Sequence, residues 1–496
     1  MDSGDIPLKL KTANIIPIHK GGNRDVPKNY RPIALTSHLI KIFEKVVRRY
    51  LVNYLEDHGL MNDGQHGFRS GRSCLSQLLA HYDTILSGLE DGGGVDVVYL
   101  DFAKAFDKVD HGITLQKLHE LGVSGKVGNW IKEFLQNRTQ SVIVDGVPSA
   151  EASVKSGVPQ GSVIGPILFL VMMSDIDKSV KNSFVSSFAD DTRVGCKIQS
   201  PEDEQKLQQD LNRIYGYADT NNMKFNDTKF ELLRYRKPGE DIPPSNYIAS
   251  DGNVISEKTS VRDLGVSMGN DGRFRDHINL IRDKASVVAS WILRTFKSRQ
   301  KKVMLTLWRS LVQPHLDYCS QLWNPALLGD IALLEQVQRS FVNRISGLEH
   351  LNYHEKLKHL GLYSLERRRE RYQIIYTWRI IEHHVPNIGI TTTSSERRGR
   401  SCMVPMPPRS APKWVRDLQD MSFCVRGPRL FNCIPADIRN LTSCGVDTFK
   451  AALDTWLSTI PDEPHVSGYT AQRRAATNSL ADMWRYSAAS FGDRGC

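Results

Sequence analysis

From Ile40 the apolar side chains fall at Ile40, Phe43, Val47, Tyr50, Leu51 and Tyr54, the i, i+3, i+4 recurrence of an amphipathic helix. Before it, Ile15 to His19 predicts a short strand that stops at the Lys20-Gly21-Gly22 turn, and Pro27, Tyr30 and Pro32 keep the connection extended. The break Asp91-Gly92-Gly93-Gly94 leads into Val95-Asp96-Val97-Val98-Tyr99-Leu100, a β-branched run suited to a strand buried on both faces, with Asp101 at its end. Val142 to Gly146 predicts one arm of a hairpin, and the Gly/Pro-rich loop Pro159 to Gly165 feeds an apolar helix from Pro166 to about Met173. A second hairpin is expected from Phe184 to Phe188 and Thr192 to Cys196, with Asp190-Asp191 at its turn.

Beyond Asp276 the periodicity is helical only. Leu333, Leu334, Val337, Phe341 and Ile345 mark one helix, and Leu365 to Ile381 another, whose polar side carries Arg367, Arg368, Arg369 and Arg371. Trp291, Trp308 and Trp323 are expected in the core of this region. Thr391 to Pro412, rich in Ser, Thr, Arg and Pro, predicts a linker or extended strap. Apolar content returns from Trp414 to Trp456, and the last ~30 residues are expected to fray as chain ends do.

The 496 residues, 40% hydrophobic and 24% charged, are enough for about three or four folded domains. The net charge of +10 is unevenly distributed: residues 271 to 400 hold 22 basic and 12 acidic side chains, so the whole excess lies there. A basic segment beside a neutral remainder fits a polyanion-binding module, although a merely solvated helical surface has the same composition. Eight scattered cysteines without a CxxC pair argue against a disulfide scaffold or a zinc knuckle and for reduced thiols in an intracellular protein, nuclear or cytoplasmic. The longest apolar run, Val163 to Met173, is well short of the ~20 residues of a membrane span, and the N-terminus shows no signal core.

The chemistry is concentrated in carboxylates. Asp101 ends an apolar strand, and Asp190-Asp191 caps a turn about ninety residues later. Turns favour Asp for their own backbone hydrogen bonds, so the Asp-Asp pair alone says little. Joined by a third carboxylate from a neighbouring strand, the pair becomes an all-oxygen site suited to Mg²⁺. Two such ions about 3.5 to 4 Å apart can activate an attacking hydroxyl and neutralise a leaving pyrophosphate.

The words around these aspartates resemble the reverse transcriptases of non-LTR retrotransposons, of the LINE type that includes jockey-like and CR1-like elements. The ordered blocks run from Ile15 to about Leu280: Ile16-Pro17-Ile18-His19-Lys20 with Asn29-Tyr30-Arg31-Pro32-Ile33, Gln65-His66-Gly67-Phe68-Arg69, Asp101-Phe102-Ala103-Lys104-Ala105-Phe106-Asp107, Ser156-Gly157-Val158-Pro159-Gln160-Gly161-Ser162, Phe188-Ala189-Asp190-Asp191, Met223-Lys224-Phe225-Asn226 and Asp263-Leu264-Gly265. The resemblance implies that Asp101 and Asp190 are the principal metal ligands, that Asp191 completes the cluster and that the Phe102 carbonyl assists. Phe106 would be the aromatic gate that disfavours a 2′-OH, and a core Phe at a helix start is its plainer reading. Gln160 and Gly161 would pack on the incoming nucleotide, Lys20 and Arg31 would grip its triphosphate, and Lys229 would protonate pyrophosphate. Arg69 and Arg72 would follow template phosphates, with His66 structural.

The fold implied is α+β, a right-hand polymerase: fingers at 1–94, a palm with an inserted fingers segment at 95–275, a helical basic thumb at 276–390, a linker at 391–412, and a C-terminal region at 413–496 for which no role is implied. The activity implied is RNA-directed DNA synthesis from a primer DNA 3′-OH on an RNA template with dNTPs, using two Mg²⁺ ions, with Mn²⁺ as the alternative, and no membrane. Many members carry an N-terminal endonuclease and sometimes a Cys/His knuckle; this sequence shows neither pattern, so a truncated element is expected. A catalytically inactive or host-adopted nucleic-acid-binding relic is the alternative. A group II intron maturase would share the palm, but the C-terminal region has no evident HNH-like His cluster.

Overall fold

The computed structural model of the protein describes residues 5–395, 399–464 and 478–480. The chain packs as two units. One gathers the chain up to Ser70 with Asp96–Leu232 and Ile242–Glu257; the other gathers Gly71–Val95, Leu233–Asp241 and the chain from Lys258 on. This division cuts across the expected 1–94, 95–275 and 276–390 segments: helix Cys74–Leu89 belongs with the C-terminal helices.

In the first unit the strands that matter for the site are β1 (Thr12–His19), β2 (Tyr30–Leu35), β3 (Gly94–Leu100), β4 (Arg138–Val144), β5 (Val147–Pro148), β6 (Ala152–Val154), β7 (Phe184–Phe188) and β8 (Asp191–Ile198). β1 pairs antiparallel with β2 and parallel with β4, and β4 pairs antiparallel with β5 and β6. The β4–β5 turn is Asp145-Gly146 with φ of 51° and 83°, the left-handed pair that lets a two-residue hairpin follow the twist of its strands. β3 lies beside β8, and β8 beside β7. A core forms where Val98, Leu100 and Val194 meet Leu207, Leu211 and Ile214 of helix Pro201–Thr220.

The helix expected from Ile40 runs His38–Asp57, with the Ser37 hydroxyl accepting from the Leu39 amide at its start. Its buried face is Ile40, Glu44, Val47, Leu51 and Leu55, while Phe43 and Tyr50 of the predicted stripe are exposed. The i, i+4 rule found the helix and Ile40, Val47 and Leu51 of its inner face, but not the carboxylate of Glu44 in the middle of that face. Glu44 is fully buried and accepts from the backbone N–H groups of Val163 (2.5 Å) and Ile164 (3.0 Å). Burial pushes its carboxyl above the ordinary range, and the two N–H groups draw it back. It thereby ties the helix to the loop that opens helix Gly165–Met172, whose Ile167–Met172 side chains are all buried.

The same loop is pinned to β2, where the Ala34 amide donates to the Gln160 carbonyl at 2.7 Å. Gly161 follows at φ +125°, and a Cβ there would stand 2.6 Å from the Ala34 carbonyl oxygen. Its need for glycine therefore arises within the protein itself.

In the second unit two arginines of helix Leu365–Ile381 go inward. Arg367 and Arg369 are 0% and 1% exposed, which is the reverse of the polar outer face expected for helix Leu365–Ile381. Arg369 donates to Asn324 Oδ1 at 2.9 Å, Arg367 to the Pro461 and Asn478 carbonyls, Arg368 to Asp317, and Arg371 to Asp454. Trp308 and Trp323 are 1% exposed as expected, whereas Trp291 is 48% exposed. The expected linker contains a hairpin, Thr392–Ser395 against Gly399–Cys402, held by Arg400 on Glu382 and by reciprocal Asn432–Cys402 hydrogen bonds of 2.8 Å. The fraying expected of the last ~30 residues falls mostly outside the described residues. Among the described residues no helix is long and apolar enough to cross a membrane, and the cysteines are free thiols.

This packing can be tested at two positions. Gly161→Ala must either displace the loop or push back β2, and should cost about 1–3 kcal/mol, read as a lower denaturation midpoint; an unchanged midpoint would refute the close approach. The second position is His277, buried edge-on to Trp323 at 5.5 Å, with Nδ1 accepting from the Ser267 amide. Burial, with Lys284 and Arg262 nearby, pushes its pKa down to about 4. The unfolded chain takes up this proton near pH ~6.5 and the folded chain does not, so stability is full above that pH and falls as the pH drops toward 4. The loss should reach about 3 kcal/mol. His277→Phe should flatten the unfolding midpoint's dependence across that window.

Candidate active site

β3 is buried along nearly its whole length, so its polar termination at Asp101 has to be met by partners. Asn226 meets it twice: its amide donates to the Asp101 carbonyl at 2.8 Å, and its side-chain Nδ2 to Asp101 Oδ2 at 3.1 Å. Lys229 Nζ lies 3.0 Å from the same Oδ2. Phe102 forms an antiparallel bridge with Phe225, their rings stacked at 4.4 Å, so the segment carrying Asn226 and Lys229 is laid directly against the strand end. Sequence reasoning assigned Lys229 and missed Asn226, which stood in a recognised block without a role of its own.

Across the site, β7 and β8 pair with Phe188 opposite Asp191. The turn is therefore Ala189-Asp190, not Asp190-Asp191. Asp191 is the exposed first residue of β8, one strand position beyond Asp190. Burial raises the Asp190 carboxyl above its ordinary range, and the neighbouring Asp101 charge adds to the rise, while Arg31 and Lys229 oppose it. Two carboxylates that feel each other's charge, with an ammonium already ion-paired to one of them, form a donor set that favours a cation. Among the described residues, however, no group of three or more Asp, Glu, His or Cys side chains is gathered tightly enough to hold a metal ion. The expected three-carboxylate cluster is an Asp101–Asp190 pair with Asp191 at its rim.

Asp101, Phe102, Asp190, Asp191 and Lys229 open onto one cavity of about 1400 Å³. Lys20 and Arg31 line it too, joined by Arg24 and Lys28 of the β1–β2 connection, which sequence reasoning did not single out. Phe106 lines the floor, half-buried, stacked on Phe169 at 4.5 Å and met edge-on by Phe68 at 6.0 Å. Phe68, exposed and left-handed at φ 59°, is a second aromatic of this wall that was not anticipated. Gln160 and Gly161 complete the wall, with Gln160 Nε2 donating to Asp107 Oδ1 at 2.7 Å.

Arg69 and Arg72 are not brought to the cavity. Arg69 is 8% exposed, with Nε donating to Glu56 Oε1 at 2.8 Å and Nη1 to the Asn62 carbonyl at 2.6 Å. It holds a loop in place, and its guanidinium is already committed. Arg72 falls in the other unit. His66 is buried, in keeping with a structural role.

The family described as "Reverse transcriptase (RNA-dependent DNA polymerase)" matches residues 18–268. The chain is 28% identical over 359 residues to the "Probable RNA-directed DNA polymerase from transposon X-element" of Drosophila melanogaster, covering 69% of this chain and 38% of that protein. It is also 28% identical over 360 residues to the "RNA-directed DNA polymerase from mobile element jockey" of the same organism, covering 70% and 39%. It thus spans under two-fifths of the length of these curated relatives. Among solved structures, telomerase from Candida albicans in complex with a TWJ fragment of telomeric RNA aligns with 77% of this chain and 61% of that one, at TM-score 0.43 and 13% identity. With the cavity, its aspartates and more than half of its sequence inside the matched span, the chain belongs to the reverse transcriptase (RNA-dependent DNA polymerase) family, in its non-LTR retrotransposon branch.

Proposed function

We propose that the protein extends a primer 3′-OH with dNTPs on an RNA template. The observation that carries this reading is that Asp101, at the end of β3, and Asp190, in the turn before β8, line one cavity together with the basic side chains Lys20, Arg24, Lys28 and Arg31. A triphosphate suits such a lining, with its negative charge against the basic side chains and its α-phosphorus toward the carboxylates. Arg31 contributes a fork and Lys20 a point charge, and both hold phosphate oxygens without taking part in bond making. In-line attack then requires the primer oxygen within about 3 to 3.5 Å of phosphorus.

Asp101 and Asp190 are the residues we assign to divalent ions, Mg²⁺ or Mn²⁺, with the Phe102 carbonyl and Asp191 as additional oxygen donors. Bound there, the ions would supply charge neutralisation for the attacking and leaving oxygens. Asn226 fixes the Asp101 carboxylate by holding Oδ2. Lys229, on the same oxygen, holds a proton at Nζ that can be given to departing pyrophosphate. Phe106, braced from behind by Phe169, presents a rigid ring to the sugar.

The decisive experiment incubates the purified protein with a primed RNA template, dNTPs and Mg²⁺. Extension is expected, and Asp190→Ala should lower it by more than about a hundredfold, beyond the loss typical of an outer-shell change, with duplex affinity kept. Duplex binding without any extension by the unaltered protein would overturn the reading in favour of a nucleic-acid-binding relic. The role of Phe106 is read separately: Phe106→Val should raise ribonucleotide use relative to deoxyribonucleotide use by about ten- to a hundredfold, the range available to a steric pocket. An unchanged ratio would return Phe106 to the core.

A further inference from the structure

Asp190 is presented by a turn that is unfavourable on its own. A two-residue hairpin connection with positive φ at its first position usually has glycine there, but here the residue is Ala189 at φ 56°. The Cβ of an L-residue disfavours that conformation, so something must hold it.

Gln65, far away in the chain, does so. Its Oε1 accepts from the Ala189 amide at 2.8 Å and its Nε2 donates to the Ala189 carbonyl at 3.1 Å, so one side chain takes both backbone groups of the turn residue. The same Oε1 accepts from the Gly67 amide at 2.8 Å. The side chain is delivered by register. Gln65 forms a single parallel bridge with Ser187 of β7, the Ser187 amide donating to the Gly64 carbonyl at 2.9 Å and the His66 amide to the Ser187 carbonyl at 3.0 Å. Gly67 permits the close pass, since a Cβ there would stand 2.4 Å from the Ala189 nitrogen. Arg69, committed to Glu56 and Asn62, anchors the segment beyond.

We propose that Gln65 is a positioning residue for Asp190: by clamping Ala189 in the left-handed conformation it aims the Asp190 carboxylate into the cavity. The inference rests on the polymerase reading for its purpose, but not for its measurement. The β7–β8 pairing does not need Gln65; what depends on it is the direction of one turn.

The test uses the full chain carrying Gln65→Met, similar in length and without hydrogen-bonding groups of comparable strength, and the double variant Gln65→Met/Ala189→Gly. Mn²⁺ binding is followed by the electron paramagnetic resonance of the free ion, alongside thermal unfolding, primer–template affinity and kcat. Gln65→Met should still unfold cooperatively and bind primer–template within about twofold, while Mn²⁺ affinity and kcat each fall about tenfold or more for the lost hydrogen bonds. Ala189→Gly should recover at least about threefold of the loss, since glycine adopts the turn unaided. Gly67→Ala, which intrudes on the Ala189 nitrogen and leaves every polar group in place, should reproduce the loss and serves if Gln65→Met does not fold. Unchanged Mn²⁺ affinity in folded variants would overturn the proposal, as would a loss that Ala189→Gly does not relieve. If the unaltered protein binds Mn²⁺ through Asp190 and Gln65→Met weakens it, but no primer is extended, the clamp stands and the polymerase reading falls. If primer is extended and Mn²⁺ affinity is indifferent to Gln65, the polymerase reading stands and the clamp falls. Absence of Mn²⁺ binding by the unaltered protein overturns both.

Discussion

Two carboxylates that share a half-buried space repel each other and lose hydration, and the arrangement of the site follows from that cost. Asp190 bears it as a raised carboxyl; the Asp101 carboxylate is met at Oδ2 by the Lys229 ammonium and by the side-chain amide of Asn226. The compensating groups come from segments laid against the ends of β3 and β8. Phe225-Asn226 bridges the end of β3, Gln65 takes the turn before β8, and Arg31 approaches from the β1–β2 arm. A cation between the carboxylates would relieve the same repulsion.

The parts of this that were legible in the sequence are those governed by neighbours in the chain. The β-branched run of β3, the Asp145-Gly146 turn and the Gly/Pro approach to helix Gly165–Met172 each carry their own local cause. Asp101 was legible because it ends an apolar run with a charge, and Asp190 because the words around it resemble those of a known family. What failed to read out depends on partners distant in sequence. Glu44 occupies an interior position that periodicity would give to a hydrophobe, because the amides of Val163 and Ile164 await it. The placement of Asp191 in β8 rather than in the turn follows from a single register choice, Phe188 opposite Asp191, and no local pattern distinguishes the two options.

Arginine shows the same limit. Only part of the +10 excess located at 271 to 400 faces outward: Lys284, Arg294, Lys297, Lys301 and Lys302 are exposed, but Arg367 and Arg369 lie in the interior and Arg368, Arg371 and Arg400 are held by Asp317, Asp454 and Glu382. A count along the sequence weighs a buried guanidinium and a solvated one alike, whereas affinity for phosphates depends only on those that can reach them. Trp291 departs in the other direction, half exposed where a core position was expected. The basic side chains that line the cavity are elsewhere, Lys20, Arg24 and Lys28 in the β1–β2 connection and Arg31 in β2.

The chemistry of the clamp residue also follows from the repulsion. A lysine or arginine at position 65 could hold the Ala189 carbonyl, but its charge would neutralise Asp190 from behind and compete with a divalent ion. A glutamate could hold the amide, but would add a third negative charge and leave the carbonyl unmet. Glutamine is neutral and carries donor and acceptor on one planar group, matching the N–H and C=O of a single residue, and Gln65 is 5% exposed, so water does not compete for either. Its reach is set by its backbone bridge to Ser187 of β7 rather than by the flexibility of its own side chain. The clamp therefore acts on the geometry of Asp190 while leaving its electrostatics to Asp101, Arg31 and Lys229, which keeps direction and charge separately adjustable at a site where both matter.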